Sequence, residues 1–234
     1  MKPFVFSAWR EKWLGYKLAH PTSFLRKVNG LIHIGANIGQ ERAIYAEYDL
    51  RVVWVEPIPD VFEQLRENLK PFPKQRAYRY LLAADDGLEY TFHIADNGGL
   101  SSSILQLGKH REMWPEVAYA GETQIRGTTF AAFIEKEQIK LSDYQGLVLD
   151  TQGTELMILK GASDFLPCFR FIQVEVADCE FYVGCCQLPE MNDFMRKHGF
   201  RERGRKRFRF LRGVGSYYDV TYERNHEFKT DCRT

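Results

Sequence analysis

The sequence predicts an α/β fold with a mostly parallel sheet, and three stretches carry that prediction. The first is residues 30–39 read together with Glu56. Leu31, Ile32 and Ile34 form a short apolar run of the kind a buried parallel strand needs. The run breaks into the small-residue turn Gly35-Ala36-Asn37-Ile38-Gly39, and Ile38, Ile44, Tyr45 and Tyr48 then recur at helical spacing over 38–48. A second apolar run, Val52-Val53-Trp54-Val55, ends in Glu56, about 20 residues past the first Gly. Strand, turn, helix, strand, acid is the order of a nucleotide-binding half of a Rossmann-like sheet, in which the carboxylate accepts hydrogen bonds from a ribose diol. The second stretch is 146–156, where a buried strand ends in Asp150 and a Gly turn leads into a helix closed by Gly161. The third is 200–223, which alternates around Gly213-Val214-Gly215 as an antiparallel hairpin does.

The remaining elements follow in order. Residues 1–29 place Trp9, Trp13, Tyr16 and Lys17 at helical spacing, as an N-terminal helical extension. After Pro57 and Pro59, Asp60 and Glu63 have the spacing of a capping box, and Val61, Phe62, Leu65 and Leu69 line a helix face. Residues 78–84 are expected as the third strand, with Ala84 and Asp85 at its end, and residues 89–94 alternate like an edge strand. Residues 96–129 show no periodicity and carry Asn97-Gly98-Gly99 and three serines, so a long binding loop or lid is expected there. A helix with Phe130, Phe133 and Ile134 inward follows. Phe171-Ile172-Gln173-Val174-Glu175-Val176 is a further strand, whose Glu175 is costly to bury unless paired. Pro189 opens a helix that ends at Gly199. The domain is expected over 30–225, with a frayed tail over 226–234.

Composition narrows the class. A hydrophobic share of 44% in 234 residues suits one α/β domain with a sizeable core. Five cysteines without Cys-x-x-Cys spacing argue against a disulfide framework or structural zinc, and for a reducing cytoplasmic setting. No run reaches the roughly 18 apolar residues of a membrane span. The net charge of +1 hides an asymmetry: residues 196–212 carry nine Lys/Arg against one Glu. Arg203, Arg205, Arg207 and Arg209 alternate, so an unbroken strand puts all four on one face.

Taken together, His33-Ile-Gly-Ala-Asn-Ile-Gly39, the stretch from Val55-Glu56-Pro57 to Leu69, Leu149-Asp-Thr-Gln-Gly-Thr-Glu155 with the helix after it, Phe171–Val176 before Tyr182, and Ser101-Ser102-Ser103 resemble the FkbM family of S-adenosylmethionine-dependent methyltransferases, in the family's order. The resemblance implies a class I methyltransferase sheet, five parallel strands with a C-terminal antiparallel hairpin. It also implies S-adenosylmethionine as cofactor and O-methylation of a hydroxyl on a sugar, glycan or related small molecule. One departure stands out. The family usually carries Asp two residues before the first Gly, and here that position is His33.

The candidate cofactor site is the turn with its flanks, His33, Gly35, Ala36, Asn37 and Gly39, joined by Glu56 and Pro57. Ala84, Asp85 and Asp150 complete it from the next strand ends. Methyl transfer to a hydroxyl needs the acceptor held in line and its proton removed. Asp150, Glu175 and His33 are the candidate bases, while Ser102, Ser103, Gln152, Glu155 and Tyr182 are the candidates for binding the acceptor. Asp150, Glu155 and Glu175 also offer oxygen ligands of the kind Mg²⁺ takes, without a spacing that selects a metal. Two competing readings are a nicotinamide-dependent oxidoreductase, against which the missing G-x-G-x-x-G counts, and a non-catalytic, RNA-directed binding protein using the Arg-rich hairpin.

Overall fold

The computed structural model describes residues 22–225, so the N-terminal helix expected around Trp9 and Trp13 and the tail beyond Asn225 lie outside the described residues. A seven-stranded sheet is built from β1 (Gly30–Ile34), β2 (Arg51–Val55), β3 (Gln75–Tyr78), β7 (Gly146–Leu149), β8 (Phe171–Ala177), β9 (Phe200–Leu211) and β10 (Gly215–Arg224). Its order is β3-β2-β1-β7-β8-β10-β9. The first five are parallel neighbours, and β10 runs antiparallel to both β8 and β9. The sheet is therefore mostly parallel with a C-terminal antiparallel hairpin, as the sequence predicts. A smaller sheet, β4 (Leu81–Leu82), β6 (Tyr119–Thr128) and β5 (Glu89–Ala95), has the order β4-β6-β5.

The central strands read as apolar runs because both faces are covered. On one face Ile32, Val53, Leu147, Ile172 and Val220 pack against α4 (Phe130–Lys136), α5 (Glu155–Gly161) and α6 (Leu188–Lys197). On the other, Leu31, Val52, Trp54 and Val148 meet Phe24, Tyr45, Leu65 and Leu69, the last three from α1 (Arg42–Glu47) and α2 (Pro59–Leu69). α2 buries Val61, Leu65 and Leu69, one residue per turn on a single stripe.

Several expectations are corrected. The third strand is 75–78, not 78–84: Tyr80 breaks the run, and Leu81–Leu82 leaves the main sheet to pair with β6. The aperiodic stretch 96–129 holds the short helix α3 (His110–Met113) and all of β6. The capping box at Asp60 and Glu63 does not form. Ile58 is the N-cap without a side-chain bond, Pro59 opens the helix, and Glu63 instead accepts from Arg66 at 2.9 Å. Thr154 likewise makes no cap bond to α5. Among the described residues Cys179, Cys185 and Cys186 are free.

The hairpin carries a further correction. Arg207 pairs with Tyr218 and Arg209 with Tyr217, so a β-bulge at Phe208 puts these two arginines on opposite faces. A second irregularity falls at Arg203, between Glu202, opposite Tyr222, and Gly204, opposite Thr221. The four arginines do not share a face.

Candidate functional site

The strand order reverses at β1, whose neighbours are β2 and β7, and ligands of such sheets bind beyond the carboxyl ends of the strands at that point. A cleft of about 700 Å³ opens there. Its floor is the turn after β1. Gly35 takes φ +82°, Asn37 φ +45° and Gly39 φ +73°, conformations that the two glycines adopt without penalty. A Cβ at Gly35 would collide with the carbonyl oxygen of Asp150, so only Gly lets the turn lie against β7. The N–H groups of Gly35 and Ala36 both donate to the carbonyl of Val55 at 3.0 Å, which pins the turn to β2.

Glu56 follows directly. Its Oε2 accepts the Asn37 N–H at 2.8 Å and its Oε1 accepts the Ile58 N–H at 2.9 Å. Burial raises its carboxyl to about 7, with the two backbone bonds pulling the other way. Each carboxylate oxygen accepts more than one hydrogen bond, so capacity remains for a diol. Asn37 also reaches across the cleft, its Nδ2 donating to the Gly98 carbonyl at 3.1 Å.

The opposite rim is organised by Gln152, held at φ +56° in the turn after β7. Its Nε2 donates to Asp150 Oδ1 at 2.7 Å and to Glu175 Oε1 at 2.8 Å. Its Oε1 accepts from the Tyr182 hydroxyl at 2.8 Å, and its carbonyl accepts from Ser103 Oγ at 2.9 Å. Glu155 is turned away from this group: its carboxylate takes the N–H groups of Thr151 at 2.8 Å and Gly153 at 3.1 Å. Burial raises Glu155 to about 7, and the charge of Glu175 adds to the effect. His33 is buried, stacks on Trp54 with ring centroids 4.8 Å apart, and shares a hydrogen bond of 3.1 Å between Nδ1 and the Tyr45 hydroxyl.

Of the residues expected from sequence, His33, Gly35, Asn37, Glu56, Pro57, Ser102, Asp150 and Gln152 line the cleft. Glu175, Ser103 and Tyr182 stand one layer behind, reached through Gln152. Ala84 and Asp85 are exposed and do not line it, because the main-sheet strand ends at Tyr78 and the chain has already turned away. Glu155 serves its own turn. Among the described residues no group of three or more His, Cys, Asp or Glu is placed to hold a metal. The sequence reading also missed an apolar wall, in which Ile58, Leu82, Phe92 and Ile104 line the cleft from the small sheet and its flanks. Their apolar character was visible but indistinguishable from ordinary core.

A sheet of this order, with a Gly turn after its first strand and an acid after its second, is the class I methyltransferase fold. The family profile described as the methyltransferase FkbM domain matches residues 33–202, well over half of the chain. The chain belongs to that family and is an S-adenosylmethionine-dependent methyltransferase. No curated protein matches it at a significant level. Similar solved structures include Burkholderia thailandensis 1,6-didemethyltoxoflavin-N1-methyltransferase with bound 1,6-didemethyltoxoflavin and S-adenosylhomocysteine (11% identity, 93% of this chain and 81% of that chain, TM-score 0.47). They also include magnesium protoporphyrin IX methyltransferase from Synechocystis PCC 6803 with bound SAM (9%, 92% and 78%, TM-score 0.45). A third is the S-adenosylmethionine-dependent methyltransferase SibL in its apo form (14%, 93% and 56%, TM-score 0.49). Among the described residues no helix is long and apolar enough to cross a membrane.

Proposed function

We propose that this methyltransferase acts on a hydroxyl group, carried by a sugar, glycan or related small molecule, and that Asp150 takes the proton. The observation that carries the proposal is Asp150 lining the cleft at the end of β7, with Oδ1 oriented by Gln152 at 2.7 Å. A hydroxyl is a poor nucleophile until a base removes its proton, and a carboxylate on the rim supplies one. When bound, S-adenosylmethionine supplies a methyl already activated on a sulfonium, so the remaining work is positioning.

In this reading Gly35, Ala36, Asn37 and Gly39 let the backbone approach the cofactor closely. Glu56 accepts from the ribose hydroxyls, and Ile58, Leu82 and Phe92 offer an apolar wall for the adenine. Glu175 does not line the cleft; it acts through Gln152, which holds both carboxylates. Ser102 and Gln152 face the acceptor side, and His33 closes the floor beside the turn. The test is a panel of sugars and other hydroxyl compounds incubated with isotopically methyl-labelled cofactor, with products identified by mass spectrometry. Label on oxygen, lost in Asp150→Asn with cofactor affinity kept, is the expected result. Label found only on nitrogen or sulfur would overturn the hydroxyl reading, and full turnover in Asp150→Asn would remove Asp150 as the base.

A further inference from the structure

We propose that the tip of the β9–β10 hairpin is a docking surface for an anionic lipid bilayer. Tyr217 of β10 pairs with Ala177, the last residue of β8, so the turn at 212–214 projects past the carboxyl end of the parallel strands. That is the rim on which the cofactor cleft opens.

Two kinds of side chain meet at this tip. The large exposed hydrophobic residues among those described are Leu88, Val183, Phe210 and Leu211. Phe210 is 54% exposed and Leu211 39%, and Val183, 53% exposed, sits in the loop that follows β8 on the same rim. The second kind is cationic. Arg207 lies over the Phe210 ring at 4.8 Å, Arg209 lies over Trp114 at 5.6 Å, and Arg212 is exposed in the turn. None of these three arginines has an ion-pair partner among the described residues, whereas further down the strand Arg203 is paired with Glu223 and Arg205 with Glu202. The open cations of the tip, Arg207 and Arg212, stand beside the exposed Phe210 and Leu211. Asp178, the acid nearest the turn, is occupied by the Ser216 N–H at 2.6 Å and the Tyr218 hydroxyl at 3.2 Å.

The tip is also braced. Phe208, Val214 and Tyr217 pack with Leu107, Phe181 and Tyr182, and the rings of Phe181 and Tyr217 stack at 4.3 Å. Phe210 and Leu211 are thus presented on a supported hairpin, with little ordering cost on docking. A second copy of the chain would bring arginine against arginine. A nucleic acid would use the cations but leave Leu211 and Val183 in water. An anionic bilayer takes both, the apolar groups at the headgroup boundary and the arginines among the phosphates.

This surface stands independently of the hydroxyl reading, and the test reads binding alone. The full chain is floated with vesicles of phosphatidylcholine, with and without phosphatidylglycerol. Binding to the anionic vesicles only, weakened by salt, is expected. The double variant Phe210→Asp/Leu211→Asp should lower the partition constant at least ~10-fold, as loss of two apolar anchors demands. Arg207→Gln/Arg212→Gln should lower it on anionic vesicles too. Calorimetric affinity for S-adenosylmethionine, unchanged in these variants, shows that they fold, and Phe210→Ser alone is the milder variant if the double one does not. No binding to anionic vesicles, or binding indifferent to the Phe210 variants, overturns the proposal. So does a preference for RNA over anionic vesicles that the same variants abolish.

Discussion

Asp150 and Glu175 share one nitrogen: the side-chain amide of Gln152 donates to both, at 2.7 and 2.8 Å. A single neutral group thereby fixes a carboxylate in the cleft and a carboxylate behind it. The amide cannot flip, because its oxygen already accepts from Tyr182. Hydrogen bonds to charged groups contribute about 1.5–3 kcal/mol each. Gln152→Ala should therefore destabilise the fold by roughly 3 kcal/mol or more, measured by urea unfolding. A loss below ~1 kcal/mol would show that the two acids find other donors at no cost.

Cofactor affinity should depend on Glu56 and on pH. Glu56→Ala removes the acceptors proposed for the ribose hydroxyls and is expected to weaken S-adenosylmethionine at least ~10-fold in calorimetry. The carboxyl is raised to about 7 by burial, and a bound diol favours its charged form. Affinity of the parent should then fall as pH drops below about 7, while Glu56→Gln should be weak and flat over the same range. A parent affinity constant from pH 8 to pH 5 would count against the assignment.

Stability should have its own pH dependence through Glu155. Its folded value, about 7, lies above the usual 4.5, so the native state holds its proton longer than the unfolded chain does. Stability then falls as pH rises from about 4.5 to about 7 and levels off above, a change on the order of 3 kcal/mol for a shift of this size. Glu155→Gln should remove much of that slope, leaving the part that Glu56 contributes in the same window. Equal slopes in parent and variant would mean that the Thr151 and Gly153 N–H groups hold the carboxylate charged.

Ligand binding should slow hydrogen exchange around residues 97–104. Gly99, Leu100, Ser102 and Ile104 line the cleft, and Asn37 ties the Gly98 carbonyl to the turn after β1. Ser102 and Ser103 are already bound to Ala95, His93 and Gln152, so filling the cleft is expected to add protection chiefly at 98–100. Exchange measured with and without S-adenosylhomocysteine checks this, and no change over 97–104 would rule out a covering role.

Gly35→Ala should be severely damaging. The residue lies at φ +82°, and the added carbon would meet the Asp150 carbonyl, a backbone atom that cannot swing aside. A loss above ~4 kcal/mol, or failure to fold, is expected from strain and overlap together. Circular dichroism and thermal melting suffice to read it, and a variant that melts near the parent would refute the close packing of the turn on β7.

The sequence made the central strands legible for a physical reason. β1, β2, β7 and β8 are covered on both faces, so apolar runs were unavoidable. β3 and β6 lacked that signature. Gln75-Arg76-Ala77-Tyr78 is an edge strand with one fully buried residue, and most of Tyr119–Thr128 is exposed or half-exposed, so neither leaves a periodic trace. The bulges at Arg203 and Phe208 depend on pairing with β10, which alternation alone does not encode. Within the site, Glu56 was readable because its distance from Gly35 is set by one helix. The Gln152 cluster was not, because its partners lie 23 and 30 residues away and meet only when β8 and the loop after it are in place.

The placement of β10 between β8 and β9 also orders assembly. β9 is made first but its pairing in the main sheet is with β10, and the outer edge of β8 stays open until the same strand arrives. During synthesis residues 212–225 must leave the ribosome before the penultimate strand has anywhere to go. A chain halted after Leu211 is expected to carry an unsatisfied, apolar β8 edge and an unattached arginine-rich arm, a state prone to mispairing. Limited proteolysis of stalled chains should find residues 200–211 cleavable until 215–224 are released and resistant afterwards. Resistance at the earlier length would show that β9 docks without its partner.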